Sequence, residues 1–191
     1  MNHRVFIAIN LPENIKNKIS DYEKEWYDMP CRWTKRENLH ITLAFLGSLT
    51  DEDVLEVCNI AKEVAAKHAP FIIELNKILY GPPGKPPRMI WVEGKESEDL
   101  GKLQTDLENS INKLSAESEN KKGQPYSPHI TLGRLKQWEF QKLELEERPE
   151  VNEDISLNFQ VKSLEVMESE LKKKGPEYAI LESLPLGSDK I

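Results

Sequence analysis

His40-Ile41-Thr42-Leu43 and His129-Ile130-Thr131-Leu132 decide how this chain of 191 residues is read. Side chains alternate across a strand, so positions i and i+2 share a face. In each tetrapeptide the histidine and threonine therefore point one way, while the isoleucine and leucine point into a core. A lone histidine on a strand is ordinarily structural. The same tetrapeptide used twice, in matching places, makes a shared functional face the better reading.

The repeat extends outward from both motifs. Arg4-Val5-Phe6-Ile7 opens a strand 36 residues before His40, and Arg88-Met89-Ile90-Trp91 opens one 41 residues before His129. Helical spacing fills both intervals: Ile15, Ile19, Tyr22 and Trp26 after Pro12, and Leu100, Leu103, Leu107, Ile111 and Leu114 after a capping Ser97. Downstream, Thr50 caps a helix over 51–68 whose first turn holds Asp51, Glu52 and Asp53. A strand over 71–80 follows. In the second unit a polar loop over 115–124 precedes the motif, a short helix over 138–147 follows it, and residues 155–171 are extended. A solvated lysine-rich turn, Lys172 to Pro176, leads to a last strand over 178–184. The stiff segment 81–87, Gly-Pro-Pro-Gly-Lys-Pro-Pro, is expected to be the hinge between two similar lobes.

Composition narrows the function. Thirty-three acidic against 26 basic residues give a net charge of −7, which argues against gripping long nucleic acid through summed positive charge. A short nucleotide or an RNA end in a local basic pocket stays open. No apolar run approaches the ~20 residues that cross a bilayer, and the apolar stretch at the start is too short for a secretory signal. No membrane partner is expected, and a cytoplasmic monomer is. Of the two cysteines, Cys58 lies on a helical pattern as a small core residue and Cys31 lacks a CxxC or histidine partner. The remaining histidines read blandly, His3 at a frayed terminus and His68 at a helix end.

Two histidines and two threonines suit the hydrolysis of a phosphodiester. One imidazole accepts a proton from water while its twin donates one to the departing oxygen; the strand pattern alone does not distinguish them. Threonine hydroxyls donate to nonbridging phosphate oxygens. Arg134 adds a planar fork matched to phosphate, provided that Gly133 bends or bulges the strand and brings it round to the histidine face. As a zinc set the same residues are poor, since no Asp, Glu or Cys stands in register. Tyr126, Phe6, Trp33 and Arg4 are candidates for a base or ribose pocket, with ordinary core the competing reading for Phe6 and Trp33, and Arg88 a strand arginine without a direct role.

The chain resembles the 2H phosphoesterase superfamily and, within it, the prokaryotic RNA 2′,3′-cyclic phosphodiesterases, long called 2′-5′ RNA ligases. The resemblance lies in Arg4 to Ile9 with Leu11-Pro12, Trp33-Thr34, Asn38 to Leu43, Phe45-Leu46-Gly47, Tyr126 to Arg134 and the closing 171–178 hairpin. It implies an α+β fold, with two pseudo-symmetric antiparallel sheets and flanking helices around a central cleft, and 1–191 as one domain of two intertwined lobes. It also implies opening of 2′,3′-cyclic phosphates at RNA ends to 2′-phosphomonoesters without metal or cofactor. His40 is then the proton donor and His129 the acceptor; residue chemistry adds Thr42 and Thr131 as catalytic residues and Arg134, Tyr126 and Phe6 as substrate-binding ones. RNA ends or small cyclic nucleotides are the expected partners. The alternatives are a related enzyme acting on other cyclic phosphates or on 2′-5′ linked oligonucleotides, weak 2′-5′ ligation included, and a catalytically silent nucleotide-binding module.

Overall fold

Strands form where β-branched and aromatic residues cluster, and helices where apolar residues recur at helical spacing behind a cap. In the computed structural model, which describes residues 2–112, 126–172 and 175–187, the elements run β1 (His3–Asn10), α1 (Glu13–Asp21), β2 (Cys31–Trp33), β3 (His40–Leu49), α2 (Asp51–Ala65), β4 (Phe71–Gly81), β5 (Met89–Gly94), α3 (Glu98–Ile111), β6 (His129–Leu135), α4 (Gln137–Phe140), β7 (Asn152–Val161), β8 (Ser163–Lys172) and β9 (Gly175–Pro185). Leu114, the 115–124 loop and Lys173-Lys174 lie outside the described residues. The capping chemistry is where the sequence puts it: Thr50 and Asp53 form a reciprocal capping box, and Ser97 accepts from the Leu100 N–H.

The strands join into one curled antiparallel sheet of two four-stranded halves, β7-β4-β5-β6 and β3-β1-β8-β9, with β2 beside β6. The halves meet where Ile41 of β3 pairs with Ile130 of β6. Beneath that junction Ile41, Leu43, Ile130 and Leu132 are buried in one cluster with Ile15 and Ile19 of α1, Val57 and Ala61 of α2 and Leu100, Leu103 and Leu107 of α3. The arrangement is an α+β fold whose halves repeat each other. Each repeat, however, sends its last strand across: β4 follows α2 yet pairs with β5, and β8 pairs with β1.

That exchange corrects two expectations. Residues 81–87 do not hinge two lobes; they close a hairpin between β4 and β5 within one half, where Gly81 pairs with Met89. The extended run 155–171 is two strands separated at Lys162, and the chain passes there from one half of the sheet to the other. Both outcomes follow from non-local pairing, which a turn signal does not encode.

Two histidines also differ from expectation. His3 is not frayed: its ring bridges Glu168 Oε1 (2.7 Å) and Asp51 Oδ1 (2.6 Å), tying β1 to β8 and to the start of α2. The helix of residues 51–65 ends before His68, whose Nε2 instead meets Asp106 of α3 at 2.9 Å.

Gly133 marks a tight strand contact beside the second motif. A Cβ there would strike Cys31 Sγ and come within 2.9 Å of the Trp33 ring, both on β2. Gly133→Ala is therefore expected to lower stability by about 1–3 kcal/mol through overpacking, read as a reduced midpoint in urea unfolding; an unchanged midpoint would show that β2 is free to shift.

Candidate active site

Alternation on β3 and β6 sends His40, Thr42, His129 and Thr131 away from the core and onto a cavity of about 530 Å³. Antiparallel pairing at Ile41 and Ile130 sets His40 toward Thr131 and Thr42 toward His129. Each motif strand then bulges at the leucine after its threonine. Ala8 pairs with Thr42 but Ile7 with Ala44, and Trp91 pairs with Thr131 but Ile90 with Gly133. The extra residue inverts the alternation beyond it. Arg134 consequently lies on the cavity wall, on the same face as His129. Phe45, five residues after His40 as Arg134 is five after His129, lines the other side and is 80 % exposed.

Both imidazoles are held alike. His40 Nδ1 lies 2.7 Å from the carbonyl oxygen of Asn38, and His129 Nδ1 lies 3.2 Å from that of Ser127, two residues upstream in each case. A carbonyl only accepts, so Nδ1 carries the proton and Nε2 is the working nitrogen. His40 Nε2 is 3.0 Å from Thr42 Oγ1. Buried Asn38 is fixed in turn, its Nδ2 donating to the Pro176 carbonyl at 2.9 Å, and buried Lys16 donates to the Glu37 carbonyl at 3.1 Å.

The surroundings of the two rings differ. His40 sits between Phe6 (ring centroids 5.0 Å) and Tyr178 (5.3 Å, edge-on). Burial lowers its pKa below that of an ordinary imidazole; the Asn38 carbonyl opposes the shift, and the charges of Lys16, Arg134 and His129 add to it. His129 is stacked face to face on Trp91 at 4.0 Å. Gly81 leaves room for that indole, since a Cβ there would lie 2.6 Å from Trp91 Cγ.

The substrate-binding expectations divide. Tyr126 and Trp33 line the cavity, and the Tyr126 hydroxyl donates to the Thr42 carbonyl at 2.5 Å, fastening the approach to β6 onto β3. Phe6 does not line it. At 4 % exposure it packs with Ala8, Met167 and Tyr178 behind His40, so it supports the imidazole and presents no face to a base. Arg4 is likewise off the cavity wall. Trp91, Tyr178 and Phe45 are cavity-lining residues that the sequence reading missed. The spacing of Phe45 from His40, equal to that of Arg134 from His129, was the available signal for one of them; the other two depend on strand register. Among the described residues no group of three or more His, Cys, Asp or Glu side chains is placed to hold a metal ion, and no helix is long and apolar enough to cross a membrane.

Comparison with known proteins shows the family and the fold. The sequence model of the 2′-5′ RNA ligase superfamily matches residues 11–173, and the chain belongs to that superfamily. A relative from Methanocaldococcus jannaschii named RNA 2′,3′-cyclic phosphodiesterase is 30 % identical over 179 residues, covering 93 % of this chain and 98 % of its own. One of the same name from Aquifex aeolicus is 29 % identical over 192 residues, covering 96 % and 97 %. Among solved structures, TT0787 of Thermus thermophilus matches with a TM-score of 0.83 at 27 % identity, covering 97 % of this chain and 99 % of that one. E. coli LigT complexed with phosphate shares the fold, with a TM-score of 0.74 at 20 % identity over 98 % and 99 % of the two chains.

The burial of His40 is directly measurable. Its imidazole titration, followed by NMR in the free protein, is expected to have its midpoint below the ~6.5 of a solvated histidine. In Lys16→Met the midpoint is expected to rise, because one repelling charge has gone. A midpoint at or above ~6.5 in the unsubstituted protein would contradict the buried site.

Proposed function

We propose that this member of the 2′-5′ RNA ligase superfamily opens 2′,3′-cyclic phosphates at RNA ends to 2′-phosphomonoesters, without a metal, by acid–base catalysis between its two motif histidines. The observation that carries the reading is the shared tethering of the rings: each Nδ1 is engaged by a backbone carbonyl, and both histidines line one cavity with the threonine of their own strand. The names of the Methanocaldococcus and Aquifex relatives support the substrate class.

In this mechanism His129 Nε2 takes a proton from water as the water oxygen attacks phosphorus. The bond from phosphorus to O3′ breaks, and O3′ leaves with the proton of His40 Nε2. The product carries a 2′-phosphate and a free 3′-hydroxyl. Thr42 and Thr131 hydroxyls and the Arg134 guanidinium stabilise the charge that gathers on the nonbridging oxygens. Each histidine ends in the other's starting protonation state, and exchange with solvent resets the pair. The lowered pKa of free His40 is compatible with a donor, since the phosphate anion opposes the repulsion from Lys16, Arg134 and His129.

Hydrolysis of a cyclic-phosphate oligonucleotide is expected to persist in EDTA. His40→Ala and His129→Ala are each expected to lower kcat by about 10²–10⁴, with product analysis identifying the 2′-phosphomonoester. Normal turnover in both variants, or loss of activity on chelation, would overturn the reading.

The rate against pH is expected to be bell-shaped. Activity falls at high pH as the donor His40 loses its proton. Bound phosphate raises the pKa of that group, so the His40 limb is expected at higher pH in kcat, which reports the complex, than in kcat/KM, which reports the free enzyme. A His40 limb at the same pH in both profiles would remove the proposed contact between His40 and the anion.

A further inference from the structure

Arg32 and Arg134 are register partners between β2 and β6, and Met89 of β5 pairs with Arg134 on its other side. Partners across adjacent strands project on the same face, so the two arginines stand side by side, and both are exposed and line the cavity. Like charges placed directly opposite one another weaken a sheet, and nothing here relieves them. The Arg134 side chain reaches only Met89 Sδ, at 3.5 Å, and that of Arg32 has no hydrogen bond or ion pair among the described residues. This occurs in a chain of net charge −7. Apart from the histidines, the charged residues of the cavity wall among the described residues are three cations, Arg32, Lys35 and Arg134, against one acid, Glu108. An unrelieved pair of guanidinium groups on a concave wall is an anion site.

One reacting phosphate does not account for both arginines. Arg134 stands on the motif strand itself, brought round by its bulge. Arg32 is displaced from it by one strand spacing, about 4.8 Å, toward the open edge of β2. A ribose whose 2′,3′-cyclic phosphate sits at the histidines carries its next possible anion on O5′, away from the reacting phosphorus.

We propose that Arg32 binds the phosphate on O5′ of the nucleoside being processed, so that the site selects RNA chain ends over free cyclic nucleotides. The inference rests on the proposed cyclic phosphodiesterase activity and names the part of the substrate that activity leaves undefined. An O5′ phosphate is supplied either by an internucleotide linkage or by a 5′-monophosphate, and the guanidinium fork meets the same oxygens in both.

The test compares kcat/KM for adenosine 2′,3′-cyclic phosphate, its 5′-phosphorylated form and the dinucleotide ApA ending in a cyclic phosphate, in the unsubstituted protein, Arg32→Ala and Arg32→Lys. The unsubstituted protein is expected to prefer the substrates bearing an O5′ phosphate. Arg32→Ala is expected to cut that preference about tenfold, the size of one charge-assisted hydrogen bond, and Arg32→Lys to restore part of it, since an ammonium lacks the fork. An Arg32-dependent preference for either phosphorylated substrate supports the proposal. No preference in the unsubstituted protein, or one that survives Arg32→Ala, overturns it. If none of the three substrates is hydrolysed, the phosphodiesterase reading fails separately. Arg32 is then judged by calorimetric binding of the intact dinucleotide, with about tenfold weaker affinity expected in Arg32→Ala; equal affinity overturns it.

Discussion

The meeting of Ile41 and Ile130 is the constraint on which the rest of the molecule depends. It joins two half-sheets through residues that are themselves fully buried. Because side chains alternate, burying that pair obliges the residues on either side to turn the opposite way. A one-residue slip of either strand would carry an imidazole into the core and an isoleucine into the cavity, two costs at once. The apolar interior thus enforces the polar constellation, and the leucines packed beneath hold the threonines and histidines to their face.

Burial sets the two motif histidines and their titratable neighbours apart. Burial pushes the Cys31 thiol up to about 12, and the Tyr126 and Tyr178 hydroxyls are also raised by desolvation. His40 is held between two aromatic rings with Lys16 behind it, while His129 lies on a single indole. Two copies of one tetrapeptide therefore present the same nitrogen in different surroundings.

Much of this was legible in the sequence because it is local. Caps at Thr50 and Ser97, the strand alternation around each histidine and the repeat from Arg4 and Arg88 all depend on residues a few positions apart. The place of Arg134 required one inference more, the bulge before it. What escaped was decided by partners distant in sequence. Residues 81–87 looked like a hinge because the crossing of β4 into the other half leaves no local mark. Phe6 looked like a stacking face because its burial depends on Met167 and Tyr178, more than 150 residues later. Trp91 became part of the cavity wall through its register with Thr131.

The divergence of Phe45 from Arg134 has a consequence for direction. A duplicated frame about a pseudo-dyad would accept a ligand equally well in either of two orientations. In this protein one arm of the frame ends in a naked phenyl ring and the other in a guanidinium. The scaffold is nearly palindromic, but its extremities are not, and any ligand laid across it meets unlike ends. A fold built by repetition is thereby made asymmetric along its cavity.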